Sequence, residues 1–118
     1  MKLTIGAAAL LSLNATATVA RSPFHVLGIG NETCQTWTRT ESHHGPSWIQ
    51  GMAWLNGFLS GANMLNKARG QGNVTRDADT FEHSMSFIRR YCVEHPRDPA
   101  SLAAQHLVIH MLDRAQGI

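Results

Sequence analysis

Cys34 and Cys92 are the only two cysteines in the chain, and they constrain its fold more than any other feature. Two thiols allow one intramolecular pairing. That bond would close a loop of about sixty residues, for which the chain-entropy account gives roughly 4 kcal/mol of stabilisation. A disulfide between Cys34 and Cys92 is therefore the expected state in an oxidising compartment. The alternatives are an intermolecular bridge and a redox pair. The second lacks CxxC spacing and any obvious neighbour that would depress a thiol pKa.

The N-terminus indicates the compartment. Met1-Lys2 is followed by an apolar run from Leu3 to Leu13 and then by small residues through Ala20. This order matches the basic, apolar and cleavage regions of a secretory signal, and the apolar run is too short to span a bilayer. We read residues 1–20 as a cleavable signal peptide, cut after Ala20 or Ala17, with an uncleaved anchor and an N-terminal core helix as the alternatives. The expected location is periplasmic or secreted, with no membrane insertion of the mature chain. Residues 21–118 then form one domain, near the usual size of a single hydrophobic core. A hydrophobic fraction of 43% with 15% charged residues suits a packed globule and not a disordered chain.

Cleavage removes Lys2, leaving nine Lys and Arg against eight Asp and Glu. A charge so close to zero, with Arg89-Arg90 as the one adjacent basic pair, excludes an electrostatic case for nucleic acid. Histidine is the unusual component. With ordinary pKa values near 6.5, the seven histidines could raise the net charge to about +8 below pH 6.

Apolar periodicity predicts an all-α domain of four helices and no strand. Residues 21–30 lack a period and contain Pro23, Gly28 and Gly30, so they read as an extended lead-in. Asn31 is the expected cap of a first helix through Trp37 to about Arg39, with Glu32 in its first turn and Cys34 and Trp37 on one face. Residues 41–46 interrupt the pattern, and Ser47 then caps a long central helix to about Asn66. Trp48, Met52, Leu55, Leu59, Ala62 and Leu65 or Asn66 form its main stripe, and Ile49, Trp54 and Phe58 widen it. A helix apolar on most sides is expected to be surrounded by neighbours. Within it, Gly51, Gly57 and Gly61 each cost roughly 1 kcal/mol of helix stability relative to alanine, which calls for a packing reason. Gly57 and Gly61 share a face, and their missing side chains are expected to let another backbone approach in a helix-packing role, with a binding groove as the alternative.

Residues 67–73 are polar and glycine-rich, an exposed loop and the first place to look for a partner contact. Asn31 and Asn73 head glycosylation sequons that matter only on a eukaryotic secretory route. Thr75 or Asp77 caps a third helix to about Val93, with Phe81, Met85, Ile88 and Cys92 on one face. After Pro96, Asp98 and Pro99 provide a cap and first position for a fourth helix to about Gln116. Its expected buried residues are Leu102, Ala104, Leu107, Val108, Met111 and Leu112.

Residues able to carry chemistry are present without a pattern that selects them. His106 and His110 stand four apart, with Asp113 three further on, and are weak candidates for a metal pair. HxxxH lacks the glutamate of HExxH, and solvated or capping histidines are the plainer reading. His43, His44 and His83 could act as bases, and Ser42, Ser47, Ser60, Ser84, Ser86 and Ser101 as nucleophiles. No GxSxG elbow or phosphate-cradling loop accompanies them. We expect no catalytic residues, no enzymatic activity and no cofactor. Trp37, Trp48, Trp54 and Phe58 read as core in preference to a small-molecule pocket.

Taken together, Thr33-Cys34 with Trp37, the segment Gly57-Phe58-Leu59-Ser60-Gly61-Ala62-Asn63, Tyr91-Cys92 and His95-Pro96 resemble the pattern of small exported proteobacterial proteins. The likeness extends over nearly all of the mature chain. More distantly it resembles two families of disulfide-stapled helical domains: periplasmic immunity proteins that neutralise type VI secretion effectors, and acid-stress periplasmic chaperones of the HdeA type. The first resemblance implies a non-enzymatic binding protein that occludes a protein partner through its surface, with dimerisation of the chain left open. The second implies a pH-responsive chaperone whose apolar surface is exposed by acid, although the histidines would set any charge switch near pH 6.

Overall fold

A computed structural model describes residues 25–76 and 81–117. The segment read as a signal peptide and the alternative cap Asp77 lie outside the described residues. Thr33 opens the first helix: its side-chain oxygen accepts the Thr36 amide at 3.2 Å, one of the N–H groups that a helix start leaves without a partner. Helix α1 covers Cys34–His43. The cap is thus Thr33 in place of the expected Asn31, which instead ends a short 3-10 turn at Gly28–Asn31. Glu32 is extended and precedes the helix. The helix also outlasts Arg39, because Glu41 continues the face of Cys34 and Trp37 and is buried with them.

His44 ends α1 in the left-handed region at φ 47°. Gly45 then caps α2, Pro46–Ala68, with proline in the first turn, where its missing N–H costs no hydrogen bond. Ser47 lies inside this helix and is not its cap. Helix α3 covers Phe81–Glu94 and α4 covers Ala100–Ala115. Pro99, at φ −67° and ψ 144°, is the residue before α4, one position later than the Asp98 cap expected from sequence. No strand occurs among the described residues; a lone antiparallel bridge joins Thr33 to Pro99.

The disulfide is formed. Cys34 and Cys92 stand 4.7 Å apart at Cα, joining the first residue of α1 to the last turn of α3. Backbone bonds reinforce this corner. The Cys34 and Gln35 amides donate to the carbonyls of Asp98 and Pro96 at 2.7 and 2.9 Å, and the Ala100 amide donates to the Glu32 carbonyl at 2.8 Å. The α3–α4 turn therefore supplies acceptors to the start of α1, and Glu32, which precedes the Thr33 cap, supplies one to the start of α4.

Around the bridge, α3 buries Met85 and Ile88, and α4 buries Ala103, Ala104, Leu107 and Met111. Leu102, Val108 and Leu112 are only partly covered. Alanine at two adjacent buried positions of α4 brings helices close, consistent with α3 and α4 being in extensive contact.

Helix α2 departs from expectation. Gly51, Leu55 and Leu59 are its buried residues, whereas Ile49, Met64 and Leu65 are 61%, 73% and 53% exposed. Of its three glycines only Gly51 has the close contact expected of it. A Cβ at Gly57 or Gly61 would meet nothing within 4 Å, so among the described residues no other element uses the space that these two leave. The close approach is at Gly51, where a Cβ would stand 3.2 Å from the Trp37 ring, and at Gly30, where it would overlap the Trp54 ring. Each tryptophan takes the place a side chain would occupy.

Candidate functional site

Helices α2 and α4 border an open groove of about 530 Å³, lined by Gly57, Phe58, Gly61, Ala62, Leu65, Gln105, Val108 and Ile109. None of these residues is charged. Lys67 is the single charged side chain in the whole of α2. Leu65 and Ile109, each 53% exposed, stand at the groove, and Gly57 and Gly61 leave it open. The features singled out for internal packing thus lie on the surface. Phe58 continues this apolar face into a ring cluster, stacking on Trp54 at 5.3 Å, and Trp54 meets Trp37 edge-on at 6.2 Å. Of the four aromatics expected in the core, Trp37 is fully buried, while Trp48, Trp54 and Phe58 are partly covered. The Trp54 indole donates to the Leu27 carbonyl at 2.9 Å, which ties the lead-in segment to α2.

The polar loop after α2 is fastened down. Asn63 accepts the Val74 and Thr75 amides through Oδ1, at 2.7 and 3.0 Å, and donates through Nδ2 to the Thr75 hydroxyl at 2.7 Å. Asn66 donates to the Gly72 carbonyl. Lys67 and Ala68 belong to α2 itself, and residues 69–73 form the exposed loop. Thr75 serves this tether.

His106 and His110 do not assemble a metal site. His106 stacks on Tyr91 at 5.0 Å and His110 on Phe87 at 5.4 Å, and among the described residues no group of three His, Cys, Asp or Glu side chains is placed to hold a metal ion. His43 bonds the Arg39 carbonyl through Nδ1 at 2.7 Å, and Ser42 donates to the same carbonyl at 2.7 Å. Their mutual contact at 3.1 Å is exposed. His44 stacks edge-on against Trp48. Ser84 and Ser101 are buried, at 2% and 3% exposure.

Two polar contacts escaped sequence reasoning. Glu41 accepts from Arg89 through Oε1, with Arg89 Nε at 3.0 Å, joining the end of α1 to α3. The hydrogen bond first, and the carboxylate charge second, hold the Arg89 guanidinium above its ordinary pKa. The seven-residue interval from Cys34 to Glu41 was the available signal, since it returns to the same helix face. The second is Tyr91, which donates to Asp98 Oδ2 at 2.7 Å and contacts His95 as well as His106. Burial first, and the Asp98 hydrogen bond and charge after it, push the Tyr91 phenol up to about 12 from 10.0. A raised phenol pKa means that the folded state holds its proton longer than the unfolded chain. The associated stability is complete below pH 10.0 and is lost as pH rises towards about 12. Tyr91 is the only tyrosine, so a phenolate absorbance titration should give a single midpoint near the upper value. The Tyr91→Phe variant should lose this alkaline dependence of stability; a free-tyrosine midpoint in the native chain would refute it.

Among the described residues no helix is long and apolar enough to cross a membrane. Comparison of the chain with protein-family models, with curated proteins and with solved structures finds no match.

Proposed function

We propose that this chain is a non-enzymatic exported binding protein, immunity- or inhibitor-like, that occludes a protein partner. The supporting observation is the α2–α4 groove: apolar, uncharged and open, with exposed Leu65 and Ile109 beside two glycines that no internal contact requires. Contiguous exposed apolar surface of this kind is characteristic of interaction sites. The space between two helices suits a partner's amphipathic helix, whose apolar side chains would rest over Gly57 and Gly61. The exported location rests on the N-terminal sequence alone.

Gly61→Leu tests this reading, because a Cβ at exposed Gly61 meets no other element within 4 Å among the described residues, the rest of the side chain would project into the groove, and helix propensity favours the change by roughly 1 kcal/mol. The wild-type chain should capture a saturable protein partner from envelope extract. Gly61→Leu should fold at least as stably and bind the purified partner about tenfold or more weakly, as expected for obstruction of a central contact. Unchanged affinity would overturn the reading. The acid-stress chaperone is the rival. All seven histidines are exposed, so none is a buried group on which an acid-triggered opening would turn. Light scattering of an aggregating client from neutral pH to about pH 3 separates the two, because only a chaperone should suppress aggregation as acid is added.

A further inference from the structure

On α3, His83, Ser86 and Arg90 recur at intervals of three and four; on α4, Leu107, His110, Met111 and Arg114 do the same. Such spacing places each set along one side of its helix. The two sides border a cavity of about 260 Å³. Ser84, Leu107 and Met111 are buried walls, and Phe87 stacked on His110 adds a flat aromatic wall. Two guanidinium groups, Arg90 and Arg114, line the cavity together with two imidazoles, and among the described residues no carboxylate does. Arg76 donates to the Arg114 carbonyl, bringing a third guanidinium to the same end of α4. His83, Ser84 and Arg114 already interact with other groups of the chain. Arg90 differs: among the described residues it makes no ion pair or hydrogen bond, whereas adjacent Arg89 is held by Glu41.

We propose that the α3–α4 cavity binds a small organic oxyanion carried on an apolar body. Arg90 supplies the planar fork that recognises phosphate or carboxylate oxygens. The Phe87–His110 pair, with Leu107 and Met111, accepts the body, and the Ser86 hydroxyl offers a further donor. This cavity is separate from the α2–α4 groove, and the proposal does not depend on the protein-binding reading.

Calorimetric titration of the chain with phenyl phosphate tests it, with inorganic phosphate and benzylammonium as comparison probes. Phenyl phosphate should bind saturably at one site and more tightly than inorganic phosphate, and benzylammonium should not bind. Arg90→Gln, an exposed substitution that leaves the core intact, should weaken phenyl phosphate binding about tenfold, in line with loss of a charge-assisted bond. Arg90→Lys, which keeps the charge without the fork, should fall between the two. Absence of saturable binding, equal affinity for the cationic probe, no gain from the phenyl ring, or unchanged affinity in Arg90→Gln would each overturn the proposal.

Discussion

Replacing both half-cystines, as Cys34→Ser with Cys92→Ser, is expected to lower unfolding stability by about 4 kcal/mol. The bridge spans 58 residues of sequence, and opening it restores to the unfolded chain the freedom that the closed loop denies. Typical domains retain only about 5–15 kcal/mol in total, so the variant should approach the limit of folding. Urea unfolding with and without reductant measures the effect. The denaturant slope should rise as the midpoint falls, because an uncrosslinked unfolded chain exposes more surface. A loss below about 1 kcal/mol would show that the backbone bonds from α1 to the α3–α4 turn hold this corner unaided. The bridge should also resist reductant in the folded chain, since Cys34 and Cys92 are 0% and 1% exposed.

Trp37→Ala should have a comparable effect, about 3–5 kcal/mol, the usual cost of removing a large buried ring. Trp37 is 3% exposed. It lies against Gly51, meets Trp54 edge-on, and shares the buried face of α1 with Cys34 and Glu41. Trp37→Phe is a sharper comparison. The indole Nε1 is buried without a hydrogen-bond partner among the described residues, a condition that costs about 1–3 kcal/mol. Phenylalanine keeps most of the ring and discards that donor, so it should cost well under half as much as alanine. Equal losses for the two variants would mean that a phenyl ring recovers nothing and that this position requires the whole indole.

The residues that fill a single helix face were legible before any coordinates. Met85, Ile88 and Cys92 recur at three and four and are buried together; Ala104, Leu107 and Met111 behave likewise. The pairing of Cys34 with Cys92 was equally accessible, since two cysteines have one intramolecular solution. Helix starts were less legible. Asn31, Ser47 and Asp98 are all good capping types, yet Thr33, Gly45 and Pro99 hold those positions. Several polar residues near a boundary have similar local preference, and tertiary bonds choose among them. Asp98 illustrates this: its carbonyl receives the Cys34 amide and its carboxylate receives the Tyr91 hydroxyl, so the helix begins after it.

The candidate groove was the least legible feature, because an apolar stripe reads the same whether a neighbour covers it or solvent does. Periodicity correctly placed Gly57, Gly61 and Leu65 on α2. It did not say which side of α2 the other helices would leave bare. The cavity bearing Arg90 was hidden for a related reason: its lining comes from two helices whose mutual rotation no local pattern encodes.

By itself the sequence determined four helical segments, the apolar faces of α3 and α4, and the one intramolecular disulfide available, because these depend on local periodicity and on having only two thiols. Only the tertiary structure decided that Trp37 and Trp54 occupy the space above Gly51 and Gly30, that no other described element occupies the space above Gly57 and Gly61, and that an apolar side of α2 faces outward. Those outcomes follow from how helices far apart in the chain pack against one another, and a helix's own residues do not specify that packing.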